Sequence, residues 1–163
     1  MKRIIIHWTA GGYYPTEFEK EHYHFLVDAQ GKIHIGKFKP QDNEFCKAGR
    51  YAAHTGGGNT GSIGVAMCAM AGFKNSKIVG NYPIKKVQFE KCMELCAELA
   101  KKYNLQVNTQ TVMTHYEFGL RNPNSTSAGK IDIIYLPPYQ WVSKEEIGSF
   151  IRTKIKWYLN KLV

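Results

Sequence analysis

Two histidines and one aspartate stand where short apolar stretches of this sequence give way to loops: His7 after "RIII", His115 after "TVMT" and Asp132 in "GKIDI". Imidazole nitrogens and carboxylate oxygens are zinc ligands, and three such groups with a fourth position left to water form a common catalytic arrangement. Strand ends suit that role, because they hold side chains rigidly at one edge of a sheet. Lys130 precedes Asp132 by two residues, and in an extended segment both side chains would face one spot. A plain surface ion pair there would contribute little. The alternative is half of a site whose other half lies elsewhere in the chain. Spacing alone leaves a second possibility open, that His7 and His115 are ordinary half-buried histidines.

The elements that must position these groups can be traced along the chain. Residues Arg3 to Trp8 form a short apolar run that predicts a buried strand. Thr16 and Glu19 have the spacing of a capping box, which predicts a short helix. "YHFLVDAQGKIHIGK" predicts a hairpin, with strands at Tyr23 to Val27 and Lys32 to Gly36 around a turn at Asp28 to Gly31. Ser62 to Met70 is another buried strand. Val87, Cys92, Leu95, Cys96, Leu99 and Tyr103 recur at helical spacing, and "QTVMTHY" is a strand ending near His115. Two long loops, Gln41 to Gly61 and Glu117 to Gly129, exceed the ~12–15 residues above which loops are usually functional or disordered. In the tail, Ser143 and Glu146 form a second capping-box pattern. Ile147, Ile151, Ile155, Tyr158 and Leu162 then make one apolar stripe, with Arg152, Lys154, Lys156 and Lys161 on other faces. Residues 143–163 therefore read as an amphipathic basic helix that either docks on the core or touches an anionic membrane. The expected architecture is a single α/β domain over 1–163, with a mixed sheet because a hairpin forces antiparallel pairing.

Composition narrows the function classes. With 163 residues, 44% hydrophobic and 21% charged, the chain is long enough for one domain with a real core. The formal net charge of +9, from 22 Lys+Arg against 13 Asp+Glu, favours anionic partners. No basic run interleaved with aromatics suggests a nucleic-acid platform, so nucleic acid is not expected. Cys46, Cys68, Cys92 and Cys96 include no CxxC pair and read as buried free thiols. The apolar run Ile4 to Ile6 is shorter than the roughly 7–15 residues of a secretory signal. Synthesis in a cytoplasm without a signal peptide is the expectation.

Five segments, "IIIHWTAGG", "YHFLVDAQGKIHIGK", "AAHTGGGNTGSIGVAM", "VMTHYEFG" and "GKIDI", occur in that order over roughly residues 1–135. Together they resemble the N-acetylmuramoyl-L-alanine amidase family of the phage T7 lysozyme and peptidoglycan-recognition-protein type. The resemblance implies a central mixed sheet flanked by helices, a zinc ion (Zn2+) and cleavage of the amide between muramic acid and the first L-alanine of the stem peptide. By the matched motifs it makes His7, His115 and Asp132 the zinc ligands, Lys130 the catalytic lysine and Tyr23 the catalytic tyrosine. His54, in the glycine-rich loop, resembles a groove-lining histidine. Trp8, Asn59 and Thr60 are further candidates for substrate contact, while His22, His24 and His34 read as packing or surface residues.

Departures from the family pattern shape the expected role. The recycling branch carries a glutamate in the strand after "SIGI", where this chain has "SIGVAMCAM" with Ala66 and Cys68. The disulfide of animal recognition proteins has no obvious counterpart. The resemblance thus implies a monomeric, wall-degrading amidase of phage or prophage origin, released to act on peptidoglycan in the host periplasm or wall. A non-catalytic peptidoglycan-binding module and a cytoplasmic muropeptide-recycling amidase are the alternatives.

Overall fold

The computed structural model describes residues 1–162, so Val163, the last residue of the expected tail helix, lies outside it. Five strands form one mixed sheet: β1 (Arg3–Trp8), β2 (Phe25–Val27), β3 (Ile33–Ile35), β4 (Ser62–Met67) and β5 (Val112–Thr114), in the order β3-β2-β4-β1-β5. Only β2 and β3 pair antiparallel, as the hairpin requires; β2–β4, β4–β1 and β1–β5 are parallel. The parallel pairs place the C-terminal ends of β1, β4 and β5 on one edge, where open α/β sheets build their sites.

A short helix, α1 (Glu17–Lys20), is capped by Thr16 as its spacing predicts. The two faces of the sheet are unequal. Ile4, Ile6 and Trp8 of β1 and Ile63, Val65 and Met67 of β4 point into the main core under the helix α2 (Lys86–Lys102). On the other face the side chains alternate to Ile5 and His7, with Gly64 and Ala66 as their ladder partners. Ile5, Met113 and Phe118 form a separate small cluster there. Every β1 residue from Ile4 to Trp8 is buried, which is why the strand lacks polar alternation. The single polar side chain in that run, His7, is the one that needs a special explanation.

Several sequence expectations need correction. The segment from Glu117 is not all loop: α3 (His115–Arg121) follows β5 directly. Thr114 caps it, its side chain accepting from the Glu117 amide while Glu117 accepts from the Thr114 amide. The stretch 129–133 is not extended either. Gly129 and Ile133 both have positive φ, 84° and 69°, and Ile134 N donates to Ile131 O at 3.2 Å. A β-branched residue at such a φ is strained, by about 1–3 kcal/mol. The turn aims Asp132 at the site while Ile133 is buried in the main core. In the tail, Ser143 caps nothing with its side chain; its carbonyl accepts from Glu146 N in a turn, and α4 spans Ile147–Asn160. Among the cysteines, Cys68, Cys92 and Cys96 are buried free thiols, but Cys46 is only half-buried.

The helix α4 is docked on α2. Ile147, Ile151 and Ile155 are buried in the main core, so the stripe that a membrane would need is covered; Lys156, Trp157 and Lys161 are exposed, while Lys154 is half-buried and pairs with Glu90 of α2 at 2.9 Å. Arg152 also turns inward rather than lining a basic face. Its guanidinium forks onto Glu117 Oε1 and Oε2, both at 3.0 Å, and donates to Val112 O at 3.0 Å. A Cβ at Gly148 would meet the Glu117 carboxylate, so glycine there lets the carboxylate stay in the Arg152 fork. The tail thereby braces the β5–α3 junction, where His115 begins the helix. Truncation of the fully buried Ile151 to alanine is expected to lower unfolding free energy by about 2–5 kcal/mol in urea titration. Near-wild-type stability would mean that the tail is not part of the cooperative core.

Candidate metal centre

The parallel register brings the two histidines together. β1 and β5 pair Ile4 with Val112, Ile5 with Met113 and Ile6 with Thr114, so the next residues along are His7 and His115. Their ring centroids lie 4.6 Å apart at 68°. Asp132 enters from the 129–133 turn, and its Oδ2 lies 2.9 Å from His7 Nδ1 and 3.1 Å from His115 Nδ1. All three side chains are buried, and one ligand atom from each lies within 4.8 Å of the other two. Among the described residues this is the one group of three such side chains in reach of a common ion.

The donor chemistry fits a cation. Ser127 Oγ donates its only hydrogen to Gly56 O at 2.7 Å, so it accepts from His115 Nε2 at 2.9 Å. His7 Nε2 lies 3.1 Å from His54 Nδ1, and His54 Nε2 lies 3.3 Å from Ser62 O, an acceptor only. Both ligand rings therefore use their Nε2 hydrogens away from the centre. Each Nδ1 lone pair faces Asp132, where only a positive charge can sit. A proton on Nδ1 would make His7 an imidazolium, and burial pushes its pKa down against the opposing pull of Asp132. Burial alone would raise the Asp132 carboxyl. Where those Nδ1 atoms carry protons, their hydrogen bonds to Asp132 outweigh burial and hold the carboxyl below the usual carboxylate range, and a cation in the protons' place acts in the same direction. Two nitrogens and one carboxylate oxygen suit zinc in a catalytic rather than a closed structural site.

Above the centre lies a cleft of about 580 Å³ whose lining includes Trp8, Tyr23, His54, Asn59, Phe73, Lys130 and Asp132. Lys130 is exposed at this cleft. Tyr23 packs its ring 5.1 Å from His7. Burial, followed by the Asp132 charge, raises the Tyr23 hydroxyl above its ordinary pKa, so it remains a donor at neutral pH. Trp8 lines the cleft, and its ring is buried against that of Phe73, with centroids 5.1 Å apart. Asn59 lines the cleft too, but its Oδ1 accepts from the amides of His54 and Thr55 at 2.9 and 2.7 Å. Thr60 is not among the lining residues, and its carbonyl accepts from Arg3. His54 is buried, with its ring nitrogens taken up by protein atoms. Ser127, Thr55 and the Glu117–Arg152 fork were not singled out from sequence. Only α3 had a readable signal there, the Thr114 to Glu117 capping spacing.

The remaining histidines pack or lie at the surface, as expected. His34 pairs with Asp28 at 2.8 Å and His22 contacts Ala53 O. His24 is buried, accepting at Nδ1 from Gly64 N and donating from Nε2 to Asn43 Oδ1, both at 2.9 Å. Asn43 in turn holds Ala52, at the start of the glycine-rich loop.

The profile described as N-acetylmuramoyl-L-alanine amidase matches residues 1–131. No curated protein matches the sequence. Among solved structures, the N-acetylmuramyl-L-alanine amidase AmiD from E. coli, complexed with the substrate anhydro-N-acetylmuramic acid-L-Ala-D-gamma-Glu-L-Lys, superposes with a TM-score of 0.57 at 18% identity. The match covers 91% of this chain but only 58% of that one. The Staphylococcus aureus hydrolase AmiA, in complex with its ligand, gives 0.57 at 16% identity over 99% of this chain and 74% of its own. The N-acetylmuramoyl-L-alanine amidase LysC from Clostridium intestinale gives 0.55 at 15% identity, covering 95% and 85%. At these identities the likeness is one of fold.

Burial carries a pH signature. It depresses the His24 pKa to about 4, with the Asn43 hydrogen bond opposing. Below the unfolded value of about 6.5 the denatured chain binds a proton that folded His24 refuses until about pH 4. Stability present above pH 6.5 is therefore lost as pH falls toward 4, by up to about 3 kcal/mol from this group. In urea titrations with chelator present, wild type should lose stability over that window, and His24→Gln should show a shallower slope. Equal slopes would remove His24 from the explanation.

Proposed function

The chain belongs to the N-acetylmuramoyl-L-alanine amidase family, and on that premise we propose that it is a zinc-dependent, wall-degrading enzyme. It would cleave the amide between N-acetylmuramic acid and L-alanine in intact peptidoglycan. The observation that carries this reading is the convergence of His7 Nδ1, His115 Nδ1 and Asp132 Oδ2 beside a cleft that Lys130 and Tyr23 also line. His7, His115 and Asp132 would hold the ion. Zinc, when bound, supplies Lewis acidity and brings the ionisation of water into the neutral range.

The chain's own groups account for the rest of the chemistry. As the amide carbon becomes tetrahedral its oxygen gains negative charge, which the Lys130 ammonium at the cleft would stabilise. One such donor is often worth about 3 kcal/mol. Tyr23, protonated at neutral pH, acts as a hydrogen-bond donor to the same centre or to the attacking water, not as a base. Asp132 and the two imidazoles are rigidly held, so the site is organised before substrate arrives.

Two features favour the polymer over a small recycled fragment. Ala66 is the β4 ladder partner of His7, so the strand position beside this ligand carries no carboxylate. The net charge of +9 attracts a polyanionic wall over many carboxylates at once. A phage or prophage lytic enzyme, acting on the wall after release from a cytoplasm, accommodates both features.

Dialysis against chelator should abolish amide cleavage, with zinc restoring it at about one ion per chain; full activity after verified metal removal would refute the metal reading. Lys130→Ala and Tyr23→Phe should keep zinc and fold while losing kcat, by roughly 10²–10³-fold for the lysine. If both retain wild-type turnover, their assigned roles are wrong. Turnover on sacculi should exceed that on anhydro-muropeptide and weaken as salt rises through ~0.1–0.3 M. The reverse preference, with little salt effect, would favour recycling.

A further inference from the structure

The outward hydrogen bond of His7 ends on the glycine-rich loop 52–62, and that of His115 reaches the same loop through Ser127. We propose that this loop is a clamp that holds His7 and His115 in the Nε2–H form, presenting both Nδ1 atoms to the metal, with His54 and Ser127 as its positioning residues. The proposal rests on the reading of His7, His115 and Asp132 as the metal centre, and it gives His54 a role other than substrate contact.

Carbonyl oxygens only accept, and two of them, Gly56 O in the loop and Ser62 O where the loop enters β4, orient the whole network. Ser62 O takes the hydrogen of His54 Nε2 at 3.3 Å, which leaves His54 Nδ1 to accept from His7 Nε2 at 3.1 Å. Thr55 Oγ1, 2.7 Å from His54 Nδ1 and 3.4 Å from His7 Nε2, closes the same corner. Gly56 O takes the Ser127 hydroxyl hydrogen at 2.7 Å, which leaves Ser127 Oγ to accept from His115 Nε2 at 2.9 Å. One short loop thus sets the orientation of two ligands that lie 108 positions apart in the chain, from 7 to 115.

The glycines follow from this duty. A Cβ at Gly64, the β4 residue beneath the loop, would lie 2.5 Å from the His54 ring. Side chains at Gly56 and Gly58 would collide with Thr126 and Phe118. Only bare backbone lets the loop lie close enough to reach Ser127 while His54 sits over the sheet. Asn59 fixes the loop by accepting from the His54 and Thr55 amides. This close packing explains a glycine-rich segment in which His54 and Thr55 are buried.

Outer partners of this kind typically change metal affinity by 10–100-fold. Zinc dissociation constants, measured by chelator competition on the full chain, should therefore rise by roughly 10–100-fold in His54→Ala and in Ser127→Ala. His54→Gln should recover most of the loss, since a Gln carbonyl can accept from His7 and its amide can donate to Ser62 O. In ¹⁵N-resolved spectra of the zinc form, His54→Ala should remove exchange protection from the His7 Nε2 hydrogen alone, and Ser127→Ala from that of His115 alone. Unchanged affinity and unchanged protection in both alanine variants would overturn the clamp while leaving the metal reading intact. Failure of the wild type to bind zinc would overturn the metal reading, and the clamp with it.

Discussion

Everything at the edge of this sheet depends on one electrostatic constraint: a buried carboxylate faces the Nδ1 atoms of two imidazoles at hydrogen-bond distance. With both Nε2 hydrogens directed outward, these three groups repel unless a positive charge joins them. A buried polar cluster of this kind is costly, and its retention inside a sheet otherwise filled with isoleucine and valine sets it apart from ordinary packing. The surrounding architecture serves to hold the repulsive geometry in place.

Three different parts of the chain meet that demand. The parallel ladder of β1 and β5 sets the spacing of His7 and His115. A strained turn at Ile133 directs Asp132 inward. The glycine-rich loop takes up the outer nitrogens of both rings through His54 and the Gly56 carbonyl. The tail adds a brace from behind, because Arg152 forks onto Glu117 at the first turn of the helix that His115 begins. The groups proposed for catalysis stay at the open side. Lys130 and Tyr23 line the cleft and take no part in these supporting bonds, so loss of either can be separated from loss of the metal.

The unequal faces of the sheet explain how such a site can coexist with a stable fold. The face under α2 carries most of the buried apolar side chains. The face with His7 carries Gly64 and Ala66 as neighbours, which leaves room for rings and for the loop above them. Stability and chemistry are thus assigned to opposite sides of the same strands.

Much of this was legible in the residues. The buried runs, the hairpin, the amphipathic helix and the five ordered motifs indicated a mixed α/β sheet and named His7, His115, Asp132, Lys130 and Tyr23. These signals are local, or repeat with the period of one element, so sequence can carry them. The extended reading of 129–133 failed because Ile133 adopts a conformation its β-branched side chain disfavours, which only tertiary packing can impose. The fate of Arg152 was equally hidden, since helical periodicity places it on a polar face and cannot show that Glu117 lies against that face. Ser127 and the duty of His54 depend on which carbonyls come within reach across the fold. Residue types alone determined which groups could bind a metal; the tertiary structure decided which nitrogen of each ring is left to do so, because a tautomer is set by hydrogen-bond partners that come from distant parts of the chain.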